Sequence, residues 1–246
     1  MKIKLLGYGQ IGKALHELMQ DNTDFNAKIV IEDKAEGFEN KSAETCYEVI
    51  LVTIPYSYDF IPIIEKQLRY SPRIMIFSTL PVGTMANFPR ACHCPIEGRH
   101  PNLKEYIDKW DFMVGLDDDF YLEEYQRYFK ELLNKQFIEV VPSKISEVIK
   151  LLSTLNYGVN IEFMRYVRDV LMKVGRMNIG LRAWEKYTNN YNKLYADDPN
   201  IQRYNLTPPV GRVGGHCVGN NAEFLEGLFP DIVTQSYKNA GGRDKK

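Results

Sequence analysis

The run Gly7-Tyr8-Gly9-Gln10-Ile11-Gly12 sets three glycines at the spacing of a phosphate-binding turn. Gly7 permits a tight bend, Gly9 leaves no Cβ between the backbone and a pyrophosphate, and Gly12 lets a helix pack closely on the preceding strand. The turn residues Gly7, Tyr8, Gly9, Gln10, Ile11 and Gly12 are the expected dinucleotide contacts, because free N–H groups and the positive pole of the following helix attract phosphate. Glu32 and Asp33 stand about 20 residues beyond the last glycine, where a carboxylate accepts hydrogen bonds from ribose hydroxyls. An acid there repels a 2′-phosphate and favours NAD over NADP, while Lys34 beside it pulls the other way. A glycine-rich bend kept for packing alone is the competing reading.

A second segment with chemistry in it is Val213-Gly214-Gly215-His216-Cys217. A thiol beside a nicotinamide can add to an aldehyde, and the thiohemiacetal can lose a second hydride to become a thioester that water cleaves. Flanking glycines let the backbone pass close to a substrate, and a charged His216 would lower the thiol pKa. The alternative is a cysteine acting as a small buried hydrophobe. Cys92-His93-Cys94, with His100 beyond it, has the composition of a zinc site. On a strand, however, that spacing turns the two thiols to one face and the imidazole to the other. No metal is expected.

These groups need a frame. Short β-branched runs alternate with helical patterns through the first half, which is the signature of βαβ units and a parallel sheet. Strands are expected at Lys2 to Leu6, Ala27 to Ile31, Glu48 to Ile54, Arg73 to Phe77, Phe112 to Val114 and Phe137 to Val141. The third and fourth are nearly unbroken apolar runs and belong in mid-sheet. Helices are expected after Gly9, over Tyr58 to Arg69 and over Leu122 to Leu133, with Asp117-Asp118-Asp119 as a solvated turn capping the last. Beyond Pro142, Val148, Leu152, Leu155, Val159, Phe163, Val167, Val170 and Val174 recur every three or four residues. That stripe predicts one helix of about 30 residues, roughly 45 Å long. A break at Gly175 to Gly180 separates it from a second helix through Leu181, Trp184, Tyr187, Tyr191 and Leu194, where the aromatics read as core or subunit interface.

The fold class is therefore α/β: a Rossmann-type doubly wound parallel sheet over residues 1–142, then a helical dimerisation and substrate segment over 143–246 that holds the cysteine loop. A 30-residue apolar stripe exceeds what a small domain covers, so a homodimer through the long helix is expected. Thirty-one Lys+Arg against 32 Asp+Glu give a net charge of −1, which argues against nucleic acid as a partner. No apolar run approaches the roughly 20 residues of a membrane helix, and the stretch behind Lys2 and Lys4 is too short for a signal sequence. Four cysteines are too few for a disulfide framework. Together these predict a soluble, cytoplasmic protein acting on a small molecule.

Gly214-Gly215-His216-Cys217 resembles the GGHC or GGSC nucleophile loop of the nucleotide-sugar 6-dehydrogenases, the group containing UDP-glucose and UDP-N-acetylmannosamine dehydrogenases. Ser78-Thr79-Leu80-Pro81-Val82-Gly83-Thr84 is similar to their STVPxGT turn, Pro95-Ile96-Glu97-Gly98 to their PExxxEG or PERxxxG segment, and Lys150 with Asn156 to their KLxxN helix. With the glycine turn, these matches span nearly the whole chain in family order. The resemblance implies NAD-dependent oxidation of a sugar nucleotide, with Cys217 as nucleophile, Thr79 positioning a water, Glu97 assisting thioester hydrolysis and Lys150 stabilising the oxygen at C6. It also implies catalytic placement for Asn156 and Asn221, cofactor contacts at Pro55 and Thr79, and substrate contacts at Gly214, Gly215 and His216, while Arg99 and His100 after Glu97 read as pocket rim or solvated loop residues, with contact to an anionic substrate as the functional reading.

Three features depart from the family pattern. Asn221 stands where the family has an aspartate, Thr154 stands four residues after Lys150 where it has an asparagine, and family members continue after the cysteine loop into a second Rossmann domain. The expected reaction is therefore that of a shortened member. A two-electron dehydrogenase of the hydroxyacid or 6-phosphogluconate type, and an inactive NAD-binding protein, are the alternatives.

Overall fold

The structure, a computed structural model, describes residues 1–22, 27–35, 46–98, 102–207, 221, 224 and 225. Two compact units divide it, Met1–Lys150 and Leu151–Lys246.

In the first unit the elements follow one another as β1 (Lys2–Leu6), α1 (Gln10–Asp21), β2 (Lys28–Glu32), β3 (Val49–Val52), α2 (Phe60–Gln67), β4 (Ile74–Ile76), β5 (Cys92–His93), α3 (Leu103–Lys109), β6 (Phe112–Gly115), α4 (Leu122–Leu133) and β7 (Phe137–Val141). The strands form one sheet in the order β2-β1-β3-β4-β5-β6-β7. All pairings are parallel except β5 with β6, which meet antiparallel at His93 and Gly115. Strand β5 and its antiparallel pairing are departures, among the described residues, from the expected six-stranded parallel sheet. Helix α3 is an element the sequence reading did not contain.

The sheet is covered on both faces, and strand alternation sorts the core accordingly. Ile3, Leu5, Val49, Leu51, Met75 and Cys92 pack with the buried faces of α1, α3 and α4. Leu6, Ile50, Val52, Ile74 and Ile76 pack on the other side with Phe60 and Ile64 of α2. The expected mid-sheet strands β3 and β4 are buried along their whole length. The reversal of strand order lies between β1 and β3, which is where doubly wound sheets open a crevice at their carboxyl edge.

Helix α5 runs Ser143–Lys173, 31 residues, and α6 follows at Met177–Leu194. The acidic run divides its work: Asp118 accepts from Phe120 N in the turn leading into α4, whereas Asp117 accepts from Ser143 N at 2.8 Å and caps α5. The helix break is shorter than expected. Gly175 takes the left-handed conformation at φ 77° and ends α5, while Gly180 lies inside α6.

The single stripe expected on α5 resolves into two faces. Within the second unit Leu155 and Val167 are buried together with Leu151, Ile161 and Met164, whereas Leu152, Val159, Phe163, Tyr166 and Val170 are exposed. No helix among the described residues is long and apolar enough to cross a membrane.

Candidate active site

The glycine turn grows directly out of β1. Gly7 adopts φ 99°, its N–H donates to Glu32 O at 2.8 Å, and its carbonyl accepts from the Thr53 hydroxyl at 2.9 Å. A Cβ on Gly12 would sit 2.3 Å from Gly7 O, so helix and turn touch as the spacing requires. A Cβ on Gly9 would meet nothing within 4 Å. The turn is thus closed beneath and open above. Gly9 is the N-cap of α1 with no side-chain cap, and no acidic residue occupies the first helical turn, so α1 brings no carboxylate of its own to this amide end. Gln10 is exposed, and Ile11 turns its side chain towards the core.

The two acidic candidates behave differently, because consecutive residues leave a strand on opposite sides. Asp33 accepts from Tyr8 N within the turn, and its other oxygen accepts from Ala35 N at 2.8 Å. Glu32 points away to Lys4, a residue only 1% exposed, whose ammonium lies 2.6 Å from Glu32 Oε2 and 3.0 Å from Gln67 Oε1. Tyr47 and Tyr70 each present a ring 5.0 Å from the same ammonium. Asp33 is therefore the carboxylate placed beside the glycine turn, and Glu32 neutralises a buried cation. Tyr8 is half-buried, with its hydroxyl 2.8 Å from His16 Nδ1.

A second group gathers at the carboxyl ends of β3, β4 and β5. Pro55 is exposed just past β3, and Thr79 is half-buried just past β4. The Ser78 hydroxyl donates to Ile54 O at 2.6 Å and ties these two loops together. His93 on β5 is fully buried, with Nε2 3.2 Å from Ser78 O and Nδ1 2.6 Å from Ser146 Oγ on α5. Burial pushes its pKa down to about 4, the Ser78 bond opposes this, and the charge of Lys150 adds to it. The imidazole is therefore neutral at pH 7. Cys92 and Cys94 lie on the opposite face with their sulfurs 3.6 Å apart, and burial pushes the Cys94 thiol well up. Among the described residues no group of His, Cys, Asp and Glu assembles a metal site.

The first turns of α5 meet this edge. Glu147 is fully buried; one carboxylate oxygen accepts from Gly83 N at 2.6 Å and the other from Met85 N at 2.7 Å. Burial raises its pKa, against the lowering effect of these amides. One turn later the Lys150 ammonium donates to Ile96 O at 2.7 Å and pairs with Glu97 Oε1 at 3.1 Å. Lys150 and Glu97, far apart in sequence, are thus brought together as a cation and an acid half-open to solvent.

In the second unit the Asn156 amide donates to the Tyr204 hydroxyl at 3.2 Å and accepts from Asn160. Asn221 is buried and donates to Thr154 Oγ1 at 3.0 Å. The two positions that depart from the family pattern are therefore partners of each other. Arg99, His100, Gly214, Gly215, His216 and Cys217 lie outside the described residues. The sequence reading missed Lys4, Ser146 and Glu147, and weighed His93 only as a metal ligand, which it set aside. Ser143, Ser146, Glu147 and Lys150 share one helix face by their spacing of three and four, a signal available around Lys150.

Compared with solved structures, the chain matches a UDP-D-ManNAc dehydrogenase from Pyrococcus horikoshii with a TM-score of 0.71 at 14% identity, over 98% of this chain and 68% of that one. A UDP-glucose dehydrogenase from the archaeon Pyrobaculum islandicum matches at 0.65 and 13% identity, over 97% and 67%. The chain shares the fold of these structures over about two thirds of their length. A 3-hydroxyisobutyrate dehydrogenase from Mycobacterium tuberculosis shares it, with a TM-score of 0.64 at 10% identity over 98% of this chain and 93% of that one. The likeness read from the motifs thus holds at the level of fold. No family model and no curated protein matches the sequence.

Proposed function

We propose that this chain is an NAD-dependent oxidoreductase acting on the CH–OH group of a sugar nucleotide. The observation that carries the proposal is the glycine turn at the reversal of strand order, open above Gly9 and flanked by Asp33. A dinucleotide bound there would be held by the amide end of α1 at its pyrophosphate, by Asp33 at a ribose, and by the loops carrying Pro55 and Thr79 at its far half. The chemistry it supplies when bound is hydride acceptance, once from the alcohol and once from the thiohemiacetal.

The remaining steps belong to side chains. The Lys150 ammonium places positive charge where the substrate oxygen becomes negative. The Cys217 thiol adds to the aldehyde carbon, forming a carbon–sulfur bond whose later oxidation gives a thioester. Water held by Thr79 attacks that carbonyl, Glu97 takes the proton from the water, and the thiolate leaves. Asn156 and Asn221 complete the proposed catalytic set, with Arg99, His100, Gly214, Gly215 and His216 on the substrate.

Incubation with NAD and a panel of UDP- and GDP-sugars, followed at the NADH absorbance, tests this. Two NADH per sugar are expected, and Cys217→Ser should reduce the yield to one. Silence with every sugar overturns the sugar-nucleotide reading. A two-electron 3-hydroxyacid type dehydrogenase is the second reading, favoured by the neutral Thr154–Asn221 pair, since neither side chain can serve as a base. Turnover of short hydroxyacids at one NADH each, unaffected by Cys217→Ser, selects it. NAD binding without any turnover selects an inactive dinucleotide-binding protein.

We also propose a homodimer in the cytoplasm. The exposed apolar positions Leu152, Val159, Phe163, Tyr166 and Val170 follow a three-and-four spacing suited to a helix–helix seam. Sedimentation equilibrium should return twice the chain mass, and Phe163→Glu should return the monomer.

A further inference from the structure

We infer that Glu147 is a positioning residue for the nicotinamide half of the dinucleotide, an inference that rests on the dinucleotide reading above. In a doubly wound sheet the two halves of the ligand lie on opposite sides of the strand-order reversal. Here the adenosine side is built by β1 and β2: Gly7 is held by Glu32 O and Thr53, and Asp33 by Tyr8 N and Ala35 N. The other side is the turn that runs from Ser78 to Met85 beyond β4. It is held from α5 at both ends: Ser78 O through His93 and Ser146, and Gly83 and Met85 directly by Glu147.

The clamp has a definite chemistry. A carboxylate only accepts, and Glu147 accepts one backbone N–H on each oxygen from amides two residues apart. Gly83 sits at φ 92°, which its missing Cβ permits, and Thr84 closes the turn through its N–H and hydroxyl on Pro81 O, so the carboxylate holds a turn already shaped to receive it. Glu147 lies three residues before Lys150, so the same helical turn that fixes the 83–85 amides also sets the origin of the Lys150 side chain. An amide at 147 keeps the size of the side chain but turns an NH2 group against one of the two backbone donors. The 83–85 end of the turn beyond Thr79 then loses its anchor, while Ser78 keeps Ile54 and His93 and the glycine turn and Asp33 keep theirs.

Titrating NADH and ADP-ribose separately into wild type and Glu147→Gln distinguishes the possibilities, because ADP-ribose lacks the nicotinamide. Wild type is expected to bind NADH more tightly than ADP-ribose. In Glu147→Gln, NADH should weaken about tenfold, equivalent to one charge-assisted hydrogen bond, with ADP-ribose unchanged. An unchanged margin between the two probes in the variant overturns the inference, as does equal loss of both, which a merely structural role would produce. If wild type binds neither probe, the dinucleotide reading itself falls. Should the variant fail to fold, hydrogen exchange in wild type decides. Added protection of the Gly83 and Met85 amides with NADH but not with ADP-ribose supports the assignment, and equal protection by both ends it.

Discussion

Substituting Gly9 by alanine is expected to lower stability by less than about 1 kcal/mol, the scale of an N-cap change, yet to weaken NADH binding about tenfold or more. The backbone at Gly9 is extended, at φ −70° and ψ −159°, which an alanine adopts freely, and the added Cβ meets nothing within 4 Å. Folding therefore has no reason to object. A pyrophosphate lying against that backbone does, because the methyl group occupies the line of approach. Gly12→Ala is the contrast: its Cβ would fall 2.3 Å from Gly7 O and 2.9 Å from Thr53 Oγ1, so the turn itself must break. Urea unfolding with a fluorescence titration of NADH measures both quantities. Equal NADH affinity in Gly9→Ala and wild type would reduce the glycine pattern to a packing motif.

The second large effect is a dependence of stability on pH set by His93. The folded protein holds this imidazole at a pKa of about 4 against an ordinary 6.5, with burial as the main cause. Between those values the unfolded chain takes up a proton that the folded chain refuses. Stability from this group is therefore intact above the unfolded pKa and falls as pH drops through the interval, by about 3 kcal/mol in all. Below the folded pKa the loss stops growing. Glu147, whose pKa burial raises, works in the opposite direction on acidification and partly offsets the trend. The difference between wild type and His93→Gln isolates the imidazole. Urea midpoints across this range should converge as pH falls, and parallel curves would show that the buried ring is not the cause.

Much of the frame could be read in advance, because its signals are strong and local. Unbroken apolar runs gave β3 and β4, and a sustained three-and-four repeat from Val148 gave α5 as a single long helix beyond Pro142. Helix α3 escaped because Leu103 and Ile107 form a single repeat, too short to register as a period. The α5 stripe merged two faces because a 3.6-residue helix drifts against any fixed spacing over many turns. Gly180 looked like a breaker, yet a Cβ there would lie 2.5 Å from Leu171, so its smallness serves the close approach of α5 and α6.

At the site, residue types were legible and partnerships were not. Lys150 and Glu97 stood out through their motifs, but nothing local joins Glu147 to Gly83 or Ser146 to His93, which lie 64 and 53 residues apart. Likewise Glu32 and Asp33 looked equivalent in the sequence, since alternation decides their roles only once Lys4 is known to lie beneath the sheet.

That last pair has an evolutionary consequence. Neighbouring positions answer to separate kinds of selection. Drift at 32 is filtered by whether an ammonium enclosed by two tyrosines keeps its counter-charge, so related chains should change it only in concert with residue 4. Drift at 33 is filtered by what the surface must hold. A lineage could switch between the two common nicotinamide carriers through 33 and 34 alone, with the architecture beneath them undisturbed.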